Sequence, residues 1–154
     1  MKSKLICHVI TGLDAGGAEA TLVKLVLKET FHKHVIISLN GEGKYTDILK
    51  KNNLEVFHFK FKKIFLFIPE FIRLIFLFKK INPEIVQTWM YHSDLFGGLA
   101  AKLAFIKIII WNIRASKLPV DYKISTKLVI KFGAYLSWII PNKIITCSKT
   151  NLPI

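Results

Sequence analysis

Short apolar segments alternate along the chain with longer segments in which apolar residues recur every three or four positions. The apolar segments cover residues 4–10, 34–39, 54–59, 85–88, 108–113 and 143–147. The periodic segments lie between them, at residues 18–30, 45–51, 69–80, 93–105 and 124–139. Alternation of strands and helices is typical of parallel βαβ units. The pattern therefore predicts an α/β fold, a doubly wound and mainly parallel sheet of the Rossmann type.

The first helix and the fifth strand illustrate the two periodicities. Leu22, Leu25 and Val26 recur at helical spacing, whereas Lys24 and Lys28 fall on the other side of the helix. Residues 108–111 are apolar at every position, as expected of a strand in a sheet that is covered on both faces.

Composition limits the class of protein. The 154 residues suit one domain. Because 52% of them are hydrophobic, the chain can bury a core, and this excludes a disordered basic tail. The chain has two cysteines, which excludes a disulfide-stapled secreted module. Because Cys7 and Cys147 belong to distant predicted strands, we expect both to be buried, reduced thiols.

The net charge of +13 adds a possible partner. The most apolar stretch, residues 64–78, is bracketed by two lysine pairs, yet it contains Pro69, Glu70 and Arg73 and so is unsuited to span a membrane. A basic helix of this kind can lie on an anionic membrane surface. The alternative, which we favour for most of its apolar residues, is packing against the core. No nucleic-acid partner is expected, because the lysines are spread out and no binding motif accompanies them.

Ligands of such sheets bind at the carboxyl ends of the strands, so the loop after the first strand is the first candidate site. This loop, residues 11–19, is called the glycine loop here and contains Gly12, Gly16 and Gly17. Its glycines permit a sharp turn, and the free amides of the following helix favour an anion such as a diphosphate. It lacks both the Lys-Ser/Thr of a P-loop and the spacing of the dinucleotide fingerprint. A tight turn without a ligand is the alternative.

Five stretches resemble, in order, motifs of the family-4 glycosyltransferases in the N-terminal half of their GT-B fold. They are Gly-Gly-Ala-Glu at 16–19, INPEIVQTWMYHSD at 81–94, the small-residue segment 97–104, IWNIRAS at 110–116 and IITCS at 144–148. The resemblance implies two Rossmann-like domains with a nucleotide sugar between them. We therefore expect residues 1–154 to be the acceptor-side N-terminal domain, with the donor-binding C-terminal domain and its Glu-x7-Glu motif absent.

The resemblance also implies an activity. It points to a hexosyltransferase-like enzyme that moves a sugar, with retention, from a nucleotide-sugar donor to a cell-surface glycan or lipid-linked acceptor, as in polysaccharide biosynthesis. Metal independence is expected, and no cofactor is expected beyond the nucleotide-sugar co-substrate. We expect a cytoplasmic chain that can lie peripherally on the inner face of the cell membrane and is inactive without its C-terminal domain or a complementary chain. The alternative is a truncated or split half that acts as a non-catalytic binding module.

Two residues are the catalytic candidates. His92 follows the fourth strand, where a side chain with an ordinary pKa of about 6.5 can bind acceptor hydroxyls or assist proton transfer. Arg114 ends the fifth strand and can grip a phosphate or carboxylate with two parallel hydrogen bonds. The alternatives are a surface-loop histidine and an ordinary salt bridge. Gln87 and Trp89 stand where the family often has histidines, so no catalytic role is carried over to them.

The substrate-binding candidates are Gly16, Gly17, Glu19, Asn112 and Ser148. The resemblance implies that Gly16 and Gly17 let backbone amides approach the donor diphosphate. For Glu19 we favour the alternative of a stabiliser in the first helical turn, where a negative charge complements the helix dipole. Ser148 can offer a hydroxyl to the ligand, although capping of a following helix is the use we favour.

Overall fold

The computed structural model describes residues 2–113 and 124–147. Within these residues, six strands form one parallel sheet in the order β3-β2-β1-β4-β5-β6. The strands are β1 (Leu5–Ile10), β2 (Lys33–Ser38), β3 (Glu55–His58), β4 (Ile85–Trp89), β5 (Ile108–Ile113) and β6 (Lys143–Thr146). The helices are α1 (Gly17–Lys28), α2 (Thr46–Lys51), α3 (Phe67–Ile81), α4 (Gly98–Leu103) and α5 (Ile124–Leu136). A 3₁₀ turn, Ile64–Leu66, precedes α3, and a π-helical turn, Ser93–Gly97, precedes α4. The predicted fold class is confirmed.

Helices cover both faces of the sheet. Leu22 of α1 and Leu49 of α2 pack with Ile10 on one face, while Leu74 of α3 packs with Val9 on the other. Neighbouring residues of β1 serve opposite faces because side chains alternate along a strand. His8 therefore lies on the α1 side of the sheet.

The predicted helix at residues 93–105 is divided into the π turn and α4. Two glycines explain how this segment lies so close to the strands. A Cβ on Gly97 would lie 2.8 Å from Val9 Cγ1, and one on Gly98 would lie 2.5 Å from Trp111 Nε1. Helical spacing of apolar residues cannot distinguish a π turn from an α-helix, so the sequence predicted one continuous helix.

Two expectations about burial were wrong. Cys147 is exposed, whereas Cys7 is buried, and burial raises the pKa of the Cys7 thiol. The sheet is also less covered at one end than its apolar strands suggested. Ile108 of β5 and both Ile144 and Ile145 of β6 are more than one-third exposed in the described part of the chain.

The strand order reverses between β1 and β4, because β2 and β3 extend to one side and β5 and β6 to the other. At this reversal Ile10, Trp89 and Asn112 lie side by side at the carboxyl ends of their strands. Open α/β sheets bind ligands in the crevice at such a switch point. The carboxyl edge at β1, β4 and β5 is therefore the place to look for a site. Across residues 2–113 and 124–147, each helix is too short or too polar to cross a membrane.

Candidate functional site

Three segments meet at the carboxyl edge of the sheet: the glycine loop after β1, residues 90–97 after β4, and the end of β5. They carry five of the seven predicted site residues, namely Gly16, Gly17, Glu19, His92 and Asn112. Arg114 and Ser148 lie outside the described residues. The residues that the fold brings to one edge come from parts of the sequence almost 100 positions apart, so their proximity depends on the strand order.

Gly16 is the residue immediately before α1 and has an extended backbone. A Cβ at this position would run into the carboxylate of Glu19, which folds back over the start of the helix. Glu19 lies in the first helical turn, where its negative charge is favourable. This position fits the stabilising role favoured for Glu19. An anion at the helix start would have to displace that carboxylate.

Gly17 is the first residue of α1, and its environment is open. Apart from its chain neighbours and the backbone of its own helix, no atom lies within 4 Å of the position that a Cβ would take, and the residue is exposed. The first amides of a helix have no intrahelical acceptor, so they can donate to a ligand. Gly17 therefore leaves the backbone at the start of α1 open to approach from outside.

The loop that contains Gly43 and Tyr45 packs against the glycine loop. The Tyr45 amide donates to the Leu13 carbonyl at 3.0 Å. A Cβ on Gly43 would lie 2.6 Å from the Leu13 oxygen and 2.7 Å from the Asp14 nitrogen. Backbone atoms cannot give way as a side-chain end can. Gly43, which the sequence did not mark as part of the site, thus allows the two loops to pack.

The turn after β4 is shaped by Met90, which has a φ of 73°. This left-handed conformation is uncommon for residues other than glycine and reverses the direction of the chain after Trp89. The Asp94 amide then donates to the Met90 carbonyl at 2.9 Å. His92 lies half-buried in this turn, and burial lowers the pKa of its imidazole. The neutral form of His92, which can accept a proton, therefore predominates at neutral pH.

Asp94 is the buried acid of this edge, and it was not among the predicted site residues. It is 2% exposed, and the Thr88 hydroxyl lies 2.6 Å from its Oδ1. Burial raises the pKa of Asp94 to about 7, although the Thr88 hydroxyl and the Asn112 amide donate hydrogen bonds to its carboxylate. Its Oδ2 is buried and has no partner among the described residues. The position of Asp94 in the segment that follows β4, at the carboxyl edge of the sheet, is the signal that could have drawn attention to it.

Asn112 is 1% exposed and helps to hold this edge. Its backbone N–H donates a hydrogen bond to the Asp94 carboxylate, and its backbone carbonyl accepts one from the Met90 N–H at 3.2 Å. Its side chain is closed to solvent. The described contacts of its backbone join the end of β5 to the turn that carries His92.

A chain of polar contacts crosses the sheet on its α1 side. The Trp89 indole N–H donates to His8 Nδ1 at 3.3 Å, His8 Nε2 lies 3.0 Å from His34 Nδ1, and His34 Nε2 lies 2.7 Å from Glu29 Oε2. An indole can only donate, so His8 Nδ1 accepts and its Nε2 carries the proton. The Nε2–H group of His8 therefore donates a hydrogen bond to His34 Nδ1, and the Nε2–H group of His34 donates one to the Glu29 carboxylate. The fold thus pairs two of the histidines that are dispersed in sequence.

Aromatic side chains join the start of α3 to the turn that carries His92. The ring centroids of Phe67 and Phe96 are 4.9 Å apart, and those of Phe61 and Phe67 are 5.3 Å apart. The His92 ring lies 6.5 Å from Phe96. His92 therefore lies at the end of an apolar wall that begins at α3.

Other features lie away from this edge. A cavity of about 480 Å³ opens at the opposite, amino edge of the sheet, between Leu5, Glu29, His32 and Leu54. No group of three His, Cys, Asp or Glu side chains able to hold a metal ion occurs in residues 2–113 and 124–147. The expected metal independence stays a prediction.

Comparison with known proteins finds similar folds among solved structures. No protein-family profile and no curated protein sequence matches the chain. Among solved structures, Alr3699/HepE of Anabaena in complex with UDP-glucose matches with a TM-score of 0.76 at 12% identity over 96% of this chain. MurG of Acinetobacter baumannii matches with a TM-score of 0.68 at 14% identity over 98% of this chain. The lipopolysaccharide outer core galactosyltransferase WaaB matches with a TM-score of 0.52 at 15% identity over 70% of this chain.

These likenesses show the fold. The described sheet matches domains of GT-B glycosyltransferases, as the sequence resemblance implied. The chain spans 38% of the HepE chain, 43% of the MurG chain and 32% of the WaaB chain. Identities of 12–15% extend the likeness to the fold alone.

Proposed function

We propose that this chain is the acceptor-side, N-terminal domain of a GT-B glycosyltransferase of family 4, which transfers a sugar from a nucleotide sugar to a cell-surface glycan or lipid-linked acceptor. The observation that carries the proposal is the open position of Gly17 at the start of α1, beside the switch point between β1 and β4. A helix start with free amides favours a diphosphate. HepE, whose fold is similar, was solved with UDP-glucose, so UDP-sugars are the first donors to test.

The proposed chemistry assigns a task to each segment of the carboxyl edge. Amides at Gly16 and Gly17 stabilise the negative charge that grows on the diphosphate as the bond from the sugar C1 to the phosphate oxygen breaks. An acceptor hydroxyl forms the new bond to C1 on the face that the diphosphate leaves, as retention requires, and neutral His92 can accept the proton that the hydroxyl gives up. Arg114 keeps its proposed contact with the donor diphosphate or an anionic acceptor, and Ser148 keeps its favoured role as a helix cap, with a hydroxyl that it can offer to the ligand. Retention and independence of metal ions follow from the sequence resemblance.

We also propose that the acceptor is presented at a membrane surface. One side of the α3 region exposes an apolar stripe, defined as Phe65, Ile68, Ile72 and Phe76. Lys62, Lys63, Lys79 and Lys80 lie exposed at the two ends of this stripe. The opposite side of α3 buries Leu74 and Phe78 in the core. One side of the helix therefore packs against the sheet, and the other is left for a membrane surface. A cytoplasmic, peripheral location on the inner face of the membrane would suit a lipid-linked acceptor of polysaccharide biosynthesis.

The decisive experiment is sugar transfer by the natural full-length polypeptide that contains this chain, assayed with a panel of nucleotide hexoses. Gly17→Leu should reduce transfer at least tenfold, because the leucine side chain would occupy the approach to the α1 amides. The fold should tolerate this change, since nothing lies within 4 Å of the added Cβ. Lys24→Leu places the same side chain on an exposed position of the same helix and should leave transfer unchanged.

The alternative, a half that only binds a partner, is separated by two outcomes. We expect residues 1–154 alone to transfer no sugar, because the proposal assigns most donor contacts to a second domain or a complementary chain. Transfer by this chain alone would contradict that part of the proposal. Failure of the full-length polypeptide to transfer sugar from any nucleotide hexose would favour the binding module.

A further inference from the structure

The Thr88 hydroxyl has two acceptors and one hydrogen. Its oxygen lies 2.6 Å from Asp94 Oδ1 and 3.3 Å from the carbonyl oxygen of Ile110. When Asp94 is ionised, it can only accept, so the Thr88 hydrogen is directed to Oδ1 and the Ile110 carbonyl loses this donor. When the proton resides on Oδ1, Asp94 donates to Thr88 and the Thr88 hydrogen is released to Ile110. The short Thr88–Asp94 distance suits either direction of donation.

The ionised form leaves a charge without sufficient partners. Asp94 is 2% exposed, and its Oδ2 has no partner within the described residues. An unpaired buried carboxylate oxygen is costly, so the ionised state favours any movement that admits water or a donor. In the neutral form Oδ2 is an uncharged carbonyl oxygen, and its lack of a partner costs less. The two protonation states therefore favour different arrangements of the same turn.

That turn connects the parts of the candidate site. Ser93, next to Asp94, lies with its Oγ 3.1 Å from Thr11 Oγ1 of the glycine loop, and His92 precedes Ser93. The Asn112 amide ties Asp94 to the end of β5. A displacement of Asp94 would thus be transmitted to the glycine loop, to His92 and to β5 together.

We propose that Asp94 is a proton-operated latch and a positioning residue of the site: its neutral form holds the His92 turn against β4 and β5, and its ionised form releases it. The latch is a property of the folded chain. Its consequence for sugar transfer rests on the proposed function, in which His92 and the glycine loop face the substrates.

Among the described residues, burial and hydrogen bonds govern the titration of Asp94. Tyr91 and His92 are the titratable residues on the same turn, and β1 carries Cys7, whose thiol pKa is raised by burial. The strands β4 and β5 present the uncharged Thr88, Ile110 and Asn112. The nearby helices α4 and α5 carry Lys102, Lys127 and Lys131, all exposed. Burial is the largest influence on the pKa of Asp94, which it raises to about 7, and the two hydrogen bonds act against it. The latch would therefore operate close to neutral pH.

The test is an NMR titration of the chain between pH 5 and 9, following the carboxyl carbon of Asp94, the amide of Asn112 and the Thr88 methyl. We expect one step with a common midpoint near pH 7 in all three signals. Asp94→Asn should abolish this step while leaving the separate, lower titration of His92. An Asp94 carboxyl that keeps one protonation state throughout, or that titrates without moving the other signals, would overturn the latch.

Variants of Thr88 keep the proposal testable if Asp94→Asn does not fold. Thr88→Val removes a hydrogen bond that lowers the pKa of Asp94, so the midpoint should move to higher pH and the response of Asn112 should shrink. Thr88→Ser retains the hydroxyl and should keep the wild-type midpoint. Identical titrations of the Val and Ser variants would overturn the assignment of the shared hydroxyl.

A transfer assay on the full-length polypeptide distinguishes failure of the latch from failure of the proposed function. With the latch intact, the pH profile of transfer should contain the step near pH 7, and Thr88→Val should move that step upward. An NMR step without any transfer activity would leave the latch standing and remove the proposed function. Transfer whose pH profile is unchanged by Thr88→Val would overturn the positioning role of Asp94.

Discussion

Thr11 Oγ1 lies 3.1 Å from Ser93 Oγ, a contact between residues 82 positions apart. Thr11 begins the glycine loop, and Ser93 begins the π turn, so this pair joins the two segments that follow β1 and β4. Ser93 is fully buried, which shields the contact from water. The glycine loop and the turn that carries His92 therefore form one connected edge at the switch point of the sheet.

This contact should be measurable as a coupling between the two side chains. Ser93→Ala and Thr11→Val each remove one hydroxyl, and each leaves the other buried or partly buried without this partner. In a double-mutant cycle we expect a coupling of about 0.5–1.5 kcal/mol in the free energy of unfolding. Denaturant unfolding of the four proteins provides the measurement. Strictly additive losses would show that the hydroxyls do not interact.

Gly43 should be intolerant of a side chain although it lies outside the glycine loop. Gly43→Ala places a Cβ against the backbone of Leu13 and Asp14, so we expect a loss of about 1–3 kcal/mol in the free energy of unfolding. Gly133→Ala is the matched control, because nothing lies within 4 Å of its Cβ and an alanine favours the helix by about 1 kcal/mol. Equal effects of the two changes on thermal unfolding would refute the packing of Gly43 on the glycine loop.

Two buried groups should give opposite dependences of stability on pH. Burial lowers the pKa of His8 to about 3, with the neighbouring His34 acting in the same direction. Between about pH 4.5 and 6 the unfolded chain binds a proton at His8 that the folded chain refuses, so this group makes stability rise with pH. Asp94 does the reverse, because the folded chain keeps a proton that the unfolded chain has lost. In the wild-type chain these two contributions largely cancel.

Single substitutions should reveal the two slopes. Asp94→Asn leaves the His8 contribution, so the free energy of unfolding should rise by about 1.4 kcal/mol per pH unit relative to the wild-type trend. His8→Gln leaves the Asp94 contribution and should give a slope of similar size and opposite sign. Chemical denaturation at several pH values between 4.5 and 6 measures both slopes. Parallel curves for the three proteins would mean that neither group has the protonation state described.

The exposed stripe on the α3 region should govern binding to anionic membranes. Serine at both Phe65 and Phe76 removes two of its most exposed apolar side chains without touching the buried Leu74 and Phe78. We expect the wild-type chain to sediment with anionic vesicles at low salt and the double variant to bind at least fivefold more weakly. Phe31→Ser is the control, because Phe31 is 52% exposed but follows α1. Absence of binding by the wild-type chain at low salt would remove the membrane proposal.

The strands and helices were predictable because their periodicities are local. The fifth strand, residues 108–113, was predicted at its observed bounds, and every other strand bound was predicted to within one residue. The carboxyl edge followed from the fold class, since it needs only the direction of parallel strands. The sequence alone therefore placed Gly16, Gly17 and His92 at one edge of the sheet.

What the sequence did not reveal depends on contacts between distant segments. The burial of Asp94 arises from Thr88 and Asn112 on two neighbouring strands, and the pairing of His8 with His34 arises from the register of β1 with β2. The constraint on Gly43 comes from a loop 30 residues earlier in the chain. Neither a hydrophobic period nor a short motif encodes these relationships, because each of them appears only when the strands are ordered.

A crystal structure of the natural full-length polypeptide with a UDP-sugar would show whether the donor diphosphate binds at the start of α1. We expect the Glu19 carboxylate to have moved away from Gly16, and a diphosphate oxygen to lie about 3 Å from the amide nitrogen of Gly17 or its neighbour. A diphosphate bound away from the start of α1, with the Glu19 carboxylate still folded over Gly16, would contradict this expectation.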